Sequence, residues 1–530
     1  MTRTAEEIAR GLDAPRPGRP IPPGERVHVI GIGGAAAASA ALLAHAAGAR
    51  VDGCDAGGAS PYTPELDAAG IRVVPGHDVG HVVAGSRPVV ELCAVTKAIT
   101  AVAPDLPELH AATAAGIHLV SCQQLIADAA ATRGLRTIGI AGTHGKSTTS
   151  GWVTHLLTEA GRDPTAFVGA LMPATLTGGL ASTVRLGAGR DFVVEADEYA
   201  GNFDPYRPAI GVLLNADWDH PDVFADRGAV VATFERWIRR FDGGGEEPVL
   251  AVDAGDTGAA EVLARLADWE GRVIAFRVIG AGDGEDPGEA SRVIVAGPGT
   301  AVGAPMPLVG RLRIDEAGLS HLEIHGLHGA GPAEVALRLV GRHYAHDALG
   351  AASAAMAVGL TADEIVAGLA AFPGVGRRFE LKGEVAGVVV IDDYGHHPTA
   401  IATTLDAARL RYPGRRLWAV YEPLTYHRTA TMIEEFADVL ATADRVAIAE
   451  IFAVRDPDLS ITSAAALAAA VARRGRAPAV APGTVEETAD ALLPDLEPGD
   501  VVLVMGGGRS YVLAQLLFDG LRRREAAEPA

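Results

Sequence analysis

The residues best placed to do chemistry lie in Gly142-Thr143-His144-Gly145-Lys146-Ser147-Thr148. An apolar run, Ile138-Gly139-Ile140-Ala141, leads into this turn, and Trp152, Val153, Leu156 and Leu157 follow at helical spacing. A glycine-rich turn between a strand and a helix exposes backbone N–H groups beside a helix N-terminus, which cradles phosphate oxygens. In that reading Lys146 reaches the terminal phosphates of ATP and the Ser147 hydroxyl ligates Mg²⁺. The strict motif wants Gly at position 140, where Ile140 stands. The competing reading is a glycine turn before an ordinary helix.

Acidic residues follow where such a loop needs them. The strand-like Asp191-Phe192-Val193-Val194-Glu195 runs into Ala196-Asp197-Glu198-Tyr199, and Ile210–Leu214 runs into Asn215-Ala216-Asp217-Trp218-Asp219-His220. Carboxylates at the C-terminal ends of parallel strands sit where ligands bind in open α/β sheets. A few oxygen donors beside substrate phosphates suit Mg²⁺. Taken singly, each acid also fits a solvated loop end.

These groups need elements to position them. Prolines at 15, 17, 20, 22 and 23 exclude a helix there and mark residues 1–25 as a flexible leader. Arg26–Ile30 then reads as a buried strand entering Gly31-Ile32-Gly33-Gly34, followed by an Ala-rich helix to about Ala47. A second strand, Ala49 to Cys54, ends near Asp52 and Asp55, the distance at which an acid meets a ribose hydroxyl. Gly31-x-Gly33-x-x-Ala36 is equally compatible with close strand–helix packing. Runs at 71–74, 88–93 and 117–120 continue the alternation, which predicts a parallel sheet with helices on both faces. Residues 242–310 are rich in Gly, Asp and Pro; short strands and turns are expected, with Gly280 to Gly288 as an exposed loop. Helices are expected over about 344–358 and 362–371. Beyond Pro373, Val388–Ile391 ends in Asp392-Asp393-Tyr394-Gly395-His396-His397-Pro398, and the runs at 417–421, 446–449 and 501–505 alternate with helices. The His396-His397 pair lacks the third and fourth ligands a transition metal needs. The fold class is therefore α/β, with a Rossmann-like N-terminal domain over 26–132, a phosphate-loop ATPase-like domain over 133–373 and a Rossmann-like C-terminal domain over 374–530.

A chain of 530 residues exceeds one core and suits roughly three or four. A net charge of −21 argues against a nucleic-acid partner, although a small nucleotide needs only local donors. Mean hydropathy is +0.20, yet no run of about 18 strongly apolar residues appears, so no membrane span is expected. Residues 1–25 lack the apolar core of a secretory signal. Cys54, Cys93 and Cys122 are too few and scattered for a disulfide framework or a clustered metal site, which makes a reducing cytoplasm the expected compartment.

With these blocks in order, the chain resembles the Mur ligase family, in particular its alanine-adding branch. The resemblance rests on His28 through Gly34, Gly142 through Ser147, Glu195 through Glu198, Asn215 through His220, Gly341-Arg342-His343, Arg377 through Glu380 and Asp392 through Pro398. It implies an ATP-dependent ligase that joins L-alanine to the carboxylate of UDP-N-acetylmuramate through an acyl phosphate. By that resemblance Lys146, Glu195 and His220 are catalytic, and Ser147, Glu195 and His220 ligate Mg²⁺. Gly142, Thr143, His144, Gly145, Lys146, Ser147, Thr148, Asn215, His343, Arg378 and Asp393 contact ATP. Gly31, Gly33, Gly34 and Asp55 contact the UDP-sugar, and Tyr394, His397 and Arg428 the amino acid. Ala36, Tyr344, Asp347 and Leu424 depart from the family pattern at substrate-facing places. They leave open a related ligase with a changed substrate or a non-catalytic nucleotide-binding paralogue. The resemblance is compatible with a monomer or a homodimer.

Overall fold

The β-branched runs assemble into three large sheets, beside a two-stranded ribbon of Val83–Ala84 and Arg87–Pro88, in the computed structural model, which describes residues 4–296, 306–328, 331–453, 456 and 458–527. By Cα proximity the described chain forms two compact units. The first spans residues 1–313, 322–336 and 345–373; the second spans 314–321, 337–344 and 374–530.

The first unit holds two of the large sheets. In the five-stranded one, Arg26–Ile30 is central, with Arg50–Asp55 then Arg72–Pro75 on one side and Leu92–Val95 then His118–Ser121 on the other, all parallel. The strand order therefore reverses at Arg26–Ile30, so the Gly31–Gly34 turn opens where the flanking connections part to opposite sides. Helices Ala35–Ala46 and Cys122–Thr132 pack together on one face through Ala, Leu and Ile.

The ten-stranded sheet repeats that logic around Arg136–Ala141, which lies between Asp191–Glu195 and Ile210–Leu213 in parallel register. These strands are buried on both faces, which accounts for their continuous rather than alternating apolar pattern. Gly139 is required there, because a Cβ would lie 2.8 Å from Pro208 and 3.2 Å from Trp237.

Two regions differ from expectation. The leader carries helix Ala5–Ile8, which precedes the first proline and is closed by a Thr4–Glu7 capping box, with Ile8 fully buried. The proline-rich stretch after it is held in place: Arg16 forms a two-pronged pair with buried Asp128, both contacts 2.8 Å, and the Ile21 N–H donates to Thr132 Oγ1 at 2.7 Å. The Gly- and Asp-rich region is also more regular than its composition suggested. Val249–Asp253, Arg272–Gly280 and Met306–Ile314 extend the large sheet, and Asp256 caps helix Thr257–Arg265. Helix Pro287–Ala296 begins inside the stretch expected to be an exposed loop, with proline at the position where a missing N–H costs nothing. Part of that region, 297–305, lies outside the described residues.

The second unit is built on a six-stranded sheet ordered Glu380–Val385, Val388–Asp393, Val501–Gly506, Leu417–Glu422, Arg445–Ala449 and Ala479–Gly483. The first strand is antiparallel to its neighbour and the rest are parallel. Apolar cores cover both faces.

Candidate active site

The chemistry expected of the Gly142–Ser147 turn has a matching geometry. Gly142 (φ 145°) and Gly145 (φ 82°) adopt backbone conformations that residues with a Cβ avoid, and a Cβ on Gly145 would meet Asp347 Oδ1 at 2.2 Å. Helix Lys146–Glu159 starts directly from Gly145 with no side-chain cap, the arrangement an anion completes. Asn215 clasps the turn: its Oδ1 accepts the His144 N–H at 2.8 Å and its Nδ2 donates to the His144 carbonyl at 3.1 Å. Thr143 Oγ1 donates to the Asp217 carbonyl at 2.9 Å and lies 3.0 Å from the Asp217 N–H. Thr143, His144 and Asn215 thereby shape the loop as a unit.

Lys146 Nζ is folded back, donating to the Gly142 carbonyl at 2.7 Å and to Glu198 Oε2 at 2.9 Å, with Asp197 Oδ1 at 3.9 Å. Burial alone would lower its pKa, but the charges of Glu198, Asp197 and Glu195 outweigh that and hold it above the ordinary lysine value. Glu198 is driven the other way: burial pushes its carboxyl up to about 7 despite Lys146, and Asp197 adds to the rise. Glu195 occupies a separate place. Its Oε1 accepts from Ser147 Oγ at 3.2 Å and its Oε2 accepts the Gly169 N–H at 2.6 Å.

His220 sits at φ 54°, its backbone N–H donating to Asp219 Oδ1 at 2.6 Å and its ring meeting Tyr199 edge-on at 5.0 Å. Among the described residues, Asp197, Glu198 and His220 bring ligand atoms within 4.8 Å of one another. Ser147 pairs with Glu195, while His220 groups with Asp197 and Glu198. Oxygen donors dominate both, which fits a hard divalent ion. The sequence signal for Asp197 and Glu198 is their position two and three residues beyond the end of Asp191–Glu195, the strand that flanks the loop.

In the same unit, the Gly31–Gly34 turn is organised by Asp55. Its Oδ2 accepts the Gly33 N–H at 2.9 Å and its Oδ1 accepts the Gly57 N–H at 2.7 Å, while Ser60 Oγ donates to the Gly33 carbonyl at 2.7 Å. A Cβ on Gly33 would lie 2.9 Å from Asp55 Oδ2. Gly31 has φ 74°, and Gly34 precedes the first turn of helix Ala35–Ala46, again with no side-chain cap. Asp55 shapes this cradle from behind.

The remaining candidates belong to the second unit. Asp393 Oδ2 accepts the Phe379 N–H at 2.8 Å and Oδ1 the Gly395 N–H at 2.7 Å, tying the Arg377–Phe379 turn to the strand end. Arg377 and Arg378 each stack over the Tyr394 ring at 5.0 Å. Arg377 also donates to the Gly506 carbonyl at 2.7 Å, a structural role absent from the expected site list. Beside it, burial pushes the Asp392 carboxyl up to about 6, against the pull of Arg377. His397 is the N-cap of helix Pro398–Arg411, its Nδ1 accepting the Thr399 N–H at 3.3 Å. Arg428 is buried in the short helix Tyr426–Thr431, and the rings of His343 and Tyr344 meet at a tilt with centroids 4.0 Å apart.

Two family descriptions match the chain: "Mur ligase family, catalytic domain" over residues 26–133 and "Mur ligase, glutamate ligase domain" over 377–508. The UDP-N-acetylmuramate--L-alanine ligase of Acidothermus cellulolyticus is 35% identical over 502 residues, 94% of this chain and 95% of that protein. The chain belongs to the Mur ligase family. The fold agrees. The UDP-N-acetylmuramate-alanine ligase MurC of Thermotoga maritima superposes with a TM-score of 0.74 at 20% identity, covering 95% of this chain and all of that one. The MurF ligase of the same organism, solved in complex with ADP, gives a TM-score of 0.54 at 19% identity, over 82% of this chain and 90% of that one. Two glycine turns in one compact unit thus open into helices with no side-chain cap, and Lys146 begins the helix at the second.

Proposed function

We propose that this Mur ligase joins L-alanine to the carboxylate of UDP-N-acetylmuramate, consuming ATP, to supply a peptidoglycan precursor in the cytoplasm. The observation that carries the reading is Lys146, held on the Gly142–Gly145 turn among Glu195, Asp197 and Glu198. In this reading residues 26–132 bind the UDP-sugar through Gly31, Gly33 and Gly34. Residues 133–373 bind ATP through the Gly142–Ser147 turn, and 374–530 carry the remaining candidates, Arg378 and Asp393 for ATP and Tyr394, His397 and Arg428 for the amino acid. No helix among the described residues is long and apolar enough to cross a membrane.

A carboxylate is a poor electrophile at neutral pH, so ligation requires prior activation. Its oxygen takes the γ-phosphoryl group of ATP, giving an acyl phosphate and ADP. The alanine amine then attacks the acyl carbon, and the tetrahedral intermediate expels phosphate as the amide forms. Lys146 is the mobile charge in this sequence. It leaves Glu198 and the Gly142 carbonyl for the phosphoryl oxygens, where charge is spread during transfer. Glu198, poised near neutrality, accepts a proton as its partner departs, so no unpaired buried charge is left behind. Ser147 and Glu195 would hold Mg²⁺ against the phosphates, with Asp197 and His220 offering a second position; bound there, the ion neutralises phosphate charge and orients it. Asn215 holds the His144 carbonyl and N–H, fixing the turn.

A panel of amino acids and UDP-sugars assayed for ATP-dependent phosphate release tests this directly. Release is expected only when L-alanine and UDP-N-acetylmuramate are present together. Full turnover with another amino acid, or with an unrelated carboxylate in place of the UDP-sugar, would overturn the substrate assignment.

A further inference from the structure

Another set of ligand-type side chains lies in the first sheet, apart from Lys146. His28 on the central strand, Cys54 near the end of its neighbour, His81 in the short turn Val79–His81 and Glu108 in helix Pro107–Ala114 bring ligand atoms within 4.8 Å of one another. Cys54 Sγ lies 3.3 Å from His28 Nε2 and 3.3 Å from Glu108 Oε1, and His81 Nδ1 lies 2.6 Å from Glu108 Oε1. His77 Nδ1 stands alongside, 3.3 Å from Sγ and 3.0 Å from Glu108 Oε2. The scatter of the three cysteines argued against a clustered metal site; the fold instead gathers histidines and a glutamate around one of them.

Tetrahedral Zn²⁺, with ligands at about 2.0–2.3 Å, spaces its donors roughly 3.3–3.7 Å apart. The two sulfur contacts already have that spacing, and the His81–Glu108 pair would open by about 1 Å to reach it. Charge points the same way. Cys54 and Glu108 are fully buried. One thiolate, one carboxylate and a divalent cation make a neutral group, which relieves the cost of a buried carboxylate. His28 Nδ1 is 2.7 Å from Asp52 Oδ1, which places its proton there and turns the Nε2 lone pair toward Cys54. A carboxylate behind a ligating histidine is the usual outer partner of such sites. His77 and His81 retain 22% and 17% side-chain exposure, a route of entry to an otherwise buried cluster.

We infer that His28, Cys54, His81 and Glu108 form a closed, structural site for one divalent transition-metal ion of the Zn²⁺ class. On binding, the Cys54 S–H proton leaves to solvent as the sulfur–metal bond forms. A sulfur and two imidazoles select against Mg²⁺, which takes oxygen ligands. The site braces the sugar-nucleotide cradle: the Cys54 carbonyl accepts the N–H groups of Gly31 and Ile32, and the next residue, Asp55, holds Gly33.

The test is titration of the metal-free full chain with Co²⁺, then Zn²⁺, in excess Mg²⁺. A His220→Ala background removes ligation at the Asp197–Glu198–His220 group. One Co²⁺ per chain, a near-ultraviolet thiolate-to-cobalt absorption band and release of at least one proton are expected. Cys54→Ser should abolish the band, and Asp52→Asn should weaken binding about ten- to a hundred-fold. Zn²⁺ should raise the melting temperature of the parent chain but not of Cys54→Ser. Stoichiometric Co²⁺ without the thiolate band, an unchanged band in Cys54→Ser, or no bound metal would each overturn the proposal. The unsubstituted cysteine chain decides it even if a variant fails to fold.

Discussion

Two glycine turns of the first unit make an instructive pair. Both follow a strand with parallel neighbours at which the strand order reverses, both open into a helix with no side-chain cap, and both have carboxylates nearby. They use those carboxylates oppositely. At Gly31–Gly34 the Asp55 carboxylate is spent on the Gly33 and Gly57 backbone N–H groups, so it fixes the loop and adds no cation. At Gly142–Gly145 the loop is fixed by neutral groups, Asn215 and Thr143, and the carboxylates are left around Lys146. A cradle that only holds a phosphate needs backbone donors. A loop that assists phosphoryl transfer also needs a movable cation and oxygen donors for metal.

The widest break in that comparison comes from removing the cation. Lys146→Ala should lower the rate of phosphate release by at least about 100-fold, as loss of one transition-state clamp does. Binding of the UDP-sugar, followed by calorimetry, should be unchanged; a near-normal rate would show that the two turns are both passive cradles. Next is Gly33→Ala, whose Cβ meets Asp55 Oδ2 at 2.9 Å. It should raise the KM for the UDP-sugar about tenfold, a cost near 1.4 kcal/mol, while the KM for ATP stays the same. A rise in both would mean that the cradles are not separate. Asp55→Asn keeps one acceptor and should give the same selectivity at a smaller size, about 1 kcal/mol for one lost N–H bond.

The smallest effect is electrostatic. Burial raises Glu198 to about 7, so from its ordinary value of 4.5 up to that pH the folded chain holds a proton that the unfolded chain has lost. The group therefore costs stability progressively as pH rises through that window, and the cost is complete above it. The same deprotonation leaves a carboxylate that competes with phosphate for Lys146. The KM for ATP should rise a few-fold between about pH 6 and 8, and Glu198→Gln should flatten that profile. A variant profile identical to the parent's would remove Glu198 from the account.

The sequence made the two turns legible for a physical reason: glycine at positive φ and a strand-to-helix switch leave a local signature at Gly31–Gly34 and Gly142–Lys146. It also placed Glu195 through Glu198 at a strand end. It could not show which of those acids meets Lys146, because that depends on how the chain leaves the strand. Nor could it show that Asn215 and Asp393 spend their polar atoms on the backbone, or that His397 caps a helix. Contacts between distant residues were silent as well. Arg16 and Asp128 lie 112 positions apart, and their pairing fixes a stretch that its prolines suggested was free. His28, Cys54, His81 and Glu108 share no spacing motif, since three different connections bring them together.

In the proposed reaction the muramate carboxylate itself takes the phosphoryl group. Turnover with UDP-N-acetylmuramate labelled with ¹⁸O in both carboxylate oxygens, followed by mass spectrometry of the products, tests it. The acyl-phosphate route predicts one ¹⁸O in each released phosphate and one in the new amide. Unlabelled phosphate accompanied by amide formation would contradict it.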